Sequence, residues 1–124
     1  MKSYRDLDIY NMAYKLAYEI NKMTKTLPKF EFYEQGSQIR RSSQSIKDNI
    51  VEGFGRRRYK AEFIRYLIFA QASCDETLNQ LCMIKQLYYN DGSKDQLIAD
   101  CDNLGKKLNK FIQYVESSWK TRNH

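Results

Sequence analysis

A long helical seam between residues 59 and 89 constrains the fold of this chain more than any other feature. Its apolar and small residues alternate steps of four and three, the spacing of a helix that packs against other helices. The residues of the seam are Phe63, Leu67, Ala70, Cys74, Thr77, Leu81, Ile84 and Tyr88. Strand-like alternation persists nowhere in the chain, so the pattern predicts an all-α protein.

Three further helical patterns accompany this seam. Apolar residues at three- and four-residue steps predict helices over about 6–26, 33–52, 59–89 and 94–119. The connections between them are short, which favours antiparallel neighbours. We therefore predict a single domain over residues 1–124, folded as an up-down-up-down antiparallel four-helix bundle.

The ends of these helices carry recognisable signals. Pro28 is expected to end the first helix, because proline cannot continue the hydrogen-bond ladder. Gly53 and Gly55 follow the second pattern, where a left-handed cap and a turn are expected. Ser93 follows an Asn-Asp-Gly turn and is expected to cap the fourth helix.

The second helix has a thin apolar stripe in which serines stand where leucines are common. Small side chains let a neighbouring helix approach closely, and a serine hydroxyl can bond to its own backbone. Asn49 lies beside this stripe and would need internal hydrogen-bond partners. Glu52 precedes Arg56 by four residues, a spacing that favours an ion pair.

The positive charge of the chain is concentrated in one segment. Of the net charge of +6, nearly all comes from residues 37–65, which hold eight basic and three acidic residues. Three acids cannot neutralise eight bases, although single pairs such as Arg58 with Glu62 are conceivable. A local excess of this kind attracts polyanions. The candidate phosphate-binding residues are Arg40, Arg41, Lys47, Arg56, Arg57, Arg58 and Lys60.

The residues needed for a catalytic or metal site are largely missing from the sequence. The only histidine is His124, and the cysteines Cys74, Cys82 and Cys101 are too widely spaced for common zinc patterns. We expect no catalytic residue, no metal and no cofactor, and three reduced thiols in or near the core. No apolar run is long enough for a membrane helix, and the polar start is not a signal peptide, so we expect a cytoplasmic protein.

The stretch LPKFEFYEQGSQIRRSSQSIKDNIVEGFGR, residues 27–56, resembles the four-helix-bundle family encoded in intervening sequences of bacterial 23S ribosomal RNA genes. The pattern is P-x-x-E-x-[YF], then Q-[IL]-R-R, S-I-x-x-N-I-x-E-G and G-R. One departure is Arg57-Arg58-Tyr59, where the family often has Ser or Thr after Gly-Arg. Another is Ala72-Ser73, where Gly-Ser is common. The signature residues to which we assign a structural role are Pro28, Gln38, Asn49, Glu52, Gly53 and Gly55.

The resemblance implies a homo-oligomer, typically a ring of five bundles. It also implies kinship with the accessory protein of diversity-generating retroelements, a basic protein that partners nucleic acid and a reverse transcriptase. Two hypotheses follow for this chain. The first is a non-enzymatic oligomer that binds RNA or DNA backbone through its basic surface. The second is a protein-interaction scaffold in which arginines such as Arg40 and Arg41 hold subunits or a partner protein.

Overall fold

The computed structural model describes residues 2–121, and within that range it contains α-helices and no strand. A 3-10 turn at Tyr4–Asp6 precedes the first helix. The helices are α1 Asp8–Thr24, α2 Lys29–Tyr33, α3 Gln35–Gly55, α4 Lys60–Tyr88 and α5 Asp95–Ser118. The predicted all-α fold and the four long helices are confirmed, while the one-and-a-half-turn α2 was not predicted.

The four long helices form an antiparallel up-down-up-down bundle. Each contacts the next along the chain, and α5 returns to contact α1, so the bundle closes. This topology gathers the start of α1, the end of α3, the start of α4 and the end of α5 at one end of the molecule. We call it the arginine end, because Arg56, Arg57 and Arg58 form the turn between α3 and α4 there.

The seam predicted on α4 faces the core. Seven of its eight residues are buried, from Phe63 to Ile84, and Tyr88 is partly buried against them. The facing side of α5 buries its own apolar stripe, which packs into the same core. The buried residues of α5 are Cys101, Leu104, Leu108, Ile112 and Val115.

Hydroxyl groups line the contact between α3 and α4. The Ser42 hydroxyl donates to Gln80 Oε1 at 2.7 Å and accepts from Thr77 Oγ1 at 2.9 Å. One turn further, the hydroxyls of Ser45 and Ser73 lie 2.9 Å apart. The thin serine stripe of α3 is therefore a packing surface, as predicted, and its polar atoms are satisfied across the interface.

The prediction for Gly53 and Gly55 was wrong in its local geometry. Both residues are helical, and Gly92 is the one described residue with a left-handed φ, at 81°. A Cβ on Gly53 would stand 3.0 Å from Tyr66 Cβ and 3.3 Å from the Phe63 carbonyl oxygen. Gly53 thus allows α3 and α4 to approach each other closely. The helix α3 does not end at Gly53 but continues to Gly55.

Two predicted helix ends also differ from the structure. The helix α5 has no side-chain cap, since Lys94 precedes it and Ser93 instead donates its backbone N–H to Asp91 Oδ1 at 3.0 Å. Asp91 thus closes the turn before α5, and the cap expected from Ser93 is not formed. The helix α1 ends at Thr24, before Pro28, and Pro28 is the non-helical residue that immediately precedes α2, with φ −51° and ψ 145°.

The two glycines of α3 provide a matched pair of substitutions. Gly53→Ala should lower the free energy of unfolding by about 1–3 kcal/mol, because the added methyl group overpacks the α3–α4 contact. A Cβ on Gly55 meets nothing within 4 Å. Gly55→Ala should therefore be neutral or stabilise by about 0.5 kcal/mol. Urea unfolding followed by circular dichroism measures both, and equal effects would contradict the assigned role of Gly53.

Candidate nucleic-acid interface

The arginine turn is partly anchored to the bundle. Arg56 donates to a carboxylate oxygen of Glu52 at 2.5 Å, which confirms the predicted ion pair, and its guanidinium lies 4.6 Å from the centre of the Tyr66 ring. The hydrogen bond to Glu52 raises the pKa of Arg56 above its ordinary value. Arg56 is therefore a fixed cation on the surface of the turn.

Arg57 is anchored by a different residue. Its Nη1 donates to the Phe54 carbonyl oxygen at 2.9 Å, and its guanidinium lies 4.0 Å from the Phe54 ring centre. Arg58 is exposed, and Glu62 pairs with Arg65 at 3.5 Å rather than with Arg58. Among the three arginines of the turn, Arg58 is the most exposed, and its guanidinium lies 5.8 Å from the centre of the Tyr59 ring.

An aromatic cluster supports the turn from below. The ring of Phe63, which is fully buried, packs edge-on against Phe54 at 6.2 Å, Phe111 at 6.0 Å and Trp119 at 5.1 Å. These residues come from α3, α4, α5 and the residue after α5. The cluster joins these four segments, and the guanidinium of Arg57 lies over its Phe54 ring.

The remaining predicted phosphate-binding residues lie in different surroundings. Arg40 points inward, donating to Thr24 Oγ1 at 2.9 Å and to the Phe32 carbonyl oxygen at 3.0 Å. Its guanidinium also lies 4.0 Å from the Phe32 ring centre. Arg40 therefore joins α1, α2 and α3, and we leave it out of the candidate interface.

Arg41, Lys47 and Lys60 are distributed along the bundle. Arg41 is exposed on α3, and Lys47 forms an ion pair with the neighbouring Asp48 at 2.8 Å. Lys60 begins α4, next to the arginine turn. At 1.5 Å per residue, Arg41 lies about 22 Å along the helix axis from Arg56. The basic segment thus divides into a group at the arginine end and isolated cations on α3.

The fold brings further basic residues to the arginine end. The 3-10 turn that carries Arg5 contacts α3, so Arg5 and the neighbouring Lys2 lie at this end. Trp119 packs on Phe63, so Lys120 lies here as well. Sequence reasoning missed these cations because they are far from Arg56 along the chain. In a bundle with an even number of antiparallel helices, the first helix starts at the same end at which the last helix finishes. The predicted topology therefore indicated that cations near residues 5 and 120 would lie together.

The signature residue Glu31 organises the opposite end of the bundle. Its carboxylate is buried and accepts hydrogen bonds from Tyr88 Oη and Gln35 Nε2, both at 2.6 Å. The bond from Tyr88 holds the pKa of Glu31 below its ordinary value and raises the pKa of Tyr88. The hydroxyls of Thr26 and Tyr89 also bond to each other here. The α1–α3 connection is thereby tied to the end of α4.

The other signature residues have mixed surroundings. Asn49 donates to the backbone and side-chain oxygens of Ser45, at 2.9 and 3.0 Å, so the expected internal partners are present. Pro28 accepts from the Glu31 N–H at 2.9 Å and thereby opens α2. Gln38 is exposed, and the structure gives no reason for its place in the signature.

The outer face of α4 carries apolar residues that no other element within residues 2–121 covers. Ile68, Phe69, Met83 and Leu87 are 41–52% exposed, although the same helix buries its seam on the inner side. A helix that is apolar on two faces is typical of one that packs on both sides.

Within residues 2–121, no three His, Cys, Asp or Glu side chains are placed to hold a metal ion. In the same range no helix is both long enough and apolar enough to cross a membrane.

The Glu31–Tyr88 bond predicts a pH dependence of stability. A carboxyl group whose pKa is lowered on folding contributes stability that is present above its ordinary value of 4.5 and is lost as the pH falls through the folded-state value. Below pH 4.5, the melting temperature should therefore fall more steeply for the natural chain than for Glu31→Gln. The exposed carboxylate variant Glu34→Gln is the control, and its acid slope should match the natural chain. Equal slopes for all three proteins would contradict this assignment.

The comparison with protein families agrees with the all-α bundle described above. A search of the curated proteins finds no match to the chain. The family model described as 23S rRNA-intervening sequence protein matches residues 5–110, from the 3-10 turn through most of α5. The match includes the serine stripe, the Glu31 network and the arginine turn. The chain therefore belongs to the family of 23S rRNA-intervening sequence proteins.

Proposed function

We propose that this protein is a non-enzymatic module that binds the phosphate backbone of RNA or DNA through its arginine end. One observation carries the proposal: Arg58 is exposed beside two arginines whose positions are already fixed. Lys60 and Arg5 add charge at the same end.

The anchored arginines retain donors for a ligand. A guanidinium has five N–H donors, and both Arg56 and Arg57 use one nitrogen, Nη1, in the bonds described above. The other N–H groups can form the bidentate contacts that suit phosphate oxygens. Because the side chains are held by Glu52 and Phe54, binding costs less conformational entropy than it would for free arginines.

Such contacts carry little sequence information, because phosphate groups are the same in every sequence. Tyr59, next to Arg58, is 63% exposed and offers an aromatic face at this end. An unpaired base could stack on it while the arginines hold the backbone. The proposal therefore favours structured RNA or DNA with single-stranded segments over a defined base sequence.

We also propose that the chain forms a homo-oligomer through the outer face of α4. Two exposed apolar pairs on this face, Ile68 with Phe69 and Met83 with Leu87, support this second proposal, because exposed apolar groups mark interaction surfaces. In a ring, each arginine end would recur once per subunit, so that weak single contacts would add. A ring of five and a reverse-transcriptase partner remain expectations from the family resemblance.

The alternative is a scaffold in which the basic residues hold subunits or a partner protein. Arg40 already uses its donors within the bundle. Arg41 is exposed, so it is the arginine that would contact a second subunit or a partner protein under this alternative. Dissociation of the oligomer by Arg41→Glu, together with no measurable RNA binding by either the natural chain or the variant, would favour the scaffold over the nucleic-acid proposal.

The salt dependence of RNA binding tests the first proposal. Arg58→Ser combined with Lys60→Ser should weaken binding to a structured RNA and make it less dependent on salt. Each lost phosphate contact removes roughly 0.7–0.9 from the slope of log affinity against log salt concentration. Fluorescence anisotropy at several salt concentrations measures both quantities.

The matched control removes the same two charges at the other end of the bundle. Lys25 and Lys29 are exposed there, so Lys25→Ser with Lys29→Ser should change affinity less and leave the slope nearly intact. If the two double variants lose affinity equally, binding follows net charge and the arginine end is not the site. If neither variant binds more weakly than the natural chain, the proposal is wrong.

Substitutions that introduce charge on the outer face of α4 test the second proposal. Ile68→Asp with Met83→Asp should dissociate the oligomer, because two carboxylates would lose their hydration in an apolar contact. Light scattering coupled to size exclusion measures the mass. Asn103→Asp with Asn109→Asp adds the same charge on exposed positions of α5 and should leave the mass unchanged. A natural chain that is monomeric at all concentrations would overturn the proposal.

A further inference from the structure

Two buried thiols face each other between α4 and α5, away from the arginine turn. Cys74 Sγ and Cys101 Sγ lie 4.0 Å apart. Each sulfur also contacts the carbonyl oxygen of the other residue, at 3.4 Å from Cys74 and 3.7 Å from Cys101. Because each side chain reaches the other residue's backbone, the two helices approach closely at this point, and the two sulfurs face each other in the core.

Gly105 lies beside the pair, one turn after Cys101. A Cβ at its position would stand 3.6 Å from Cys74 Sγ, which is an ordinary van der Waals distance. Gly105 is therefore the α5 neighbour of the Cys74 sulfur.

The pair lies at the floor of a surface groove of about 260 Å³. The polar residues Gln71, Asp75 and Asn109 line its walls. A small polar oxidant can therefore come close to the sulfurs although both residues are buried. The third thiol, Cys82, is exposed elsewhere on α4 and is not part of the pair.

The two thiols have unequal acidity. The hydrogen bond between the two thiols lowers the pKa of Cys74 and raises that of Cys101. Cys74 is accordingly the nucleophile of the pair, because the thiolate is the reactive form of cysteine.

We propose that Cys74 and Cys101 form a reversible intramolecular disulfide when the protein meets a hydroperoxide. The Cys74 thiolate attacks one oxygen of hydrogen peroxide, the O–O bond breaks, and the second oxygen leaves as hydroxide, which gives a sulfenic acid on Cys74. The Cys101 sulfur then attacks Cys74 Sγ, and the sulfenic oxygen leaves as water with the Cys101 proton. Two thiols are oxidised by two electrons, and one peroxide is reduced to water.

The disulfide would join α4 to α5 without touching the arginine end or the outer face of α4. It would close a long loop that contains the Asp91 turn, and so reduce the conformational freedom of the unfolded chain. The two sulfurs already lie 4.0 Å apart across the α4–α5 contact, so oxidation should preserve the bundle and raise its thermal stability. The inference stands on the thiol geometry and does not require the proposed function.

The Cys82→Ser variant isolates the pair, because it removes the exposed thiol that can link two molecules. Treated with hydrogen peroxide, this variant should lose about 2 Da by intact-mass spectrometry, with Cys74 and Cys101 joined in the peptide map. Its melting temperature should rise by about 10 °C, and dithiothreitol should restore both values.

Two further variants serve as controls. Cys74→Ser with Cys82→Ser, and Cys101→Ser with Cys82→Ser, should show no loss of 2 Da and no peroxide-induced rise in melting temperature. The inference is overturned if folded Cys82→Ser keeps both thiols after peroxide treatment, or if Cys74 proceeds to sulfinic acid without bonding to Cys101. Both of these outcomes are measured on a protein that retains Cys74 and Cys101, so a folding defect in the control variants cannot produce either of them.

Discussion

Small and hydroxyl-bearing side chains on α3 let its backbone come close to α4, and this approach sets the position of the arginine end. Gly53 leaves no room for a methyl group against Tyr66, and Ser42 and Ser45 bond across the same contact. With leucines in these places the helices would stand further apart. Phe54 would then shift relative to Phe63, and the turn that rests on Phe54 would shift with it.

The polar character of this contact also fixes how the helices are aligned. A buried hydroxyl without a partner costs about 1–3 kcal/mol, so sliding α3 along α4 by one turn would break several bonds at once. In residues 2–121, every buried side-chain nitrogen or oxygen has a hydrogen-bond partner. Apolar residues supply most of the burial in the bundle, while Ser42, Thr77 and Ser73 select a single alignment.

The sequence predicted the long helices well because their apolar period extends over many turns. It did not predict α2, whose five residues are too few to show a period. The role of Arg40 was missed for the same reason, since its acceptors on Thr24 and Phe32 come together only through α2. Gly53 was interpreted as a cap because a glycine after a helical pattern suits both a helix end and a close contact. Only the position of α4 distinguishes the two.

The first and last segments that the structure describes lie beside the arginine turn. The 3-10 turn at Tyr4–Asp6 contacts α3, and Trp119 packs on Phe63 at the start of α4. Any domain or affinity tag fused to either end would therefore be tethered within reach of the arginines, at a high effective concentration. An acidic fusion would compete with polyanions for this surface, and a basic one would strengthen their attraction. Neutral, cleavable fusions are the appropriate choice for this molecule.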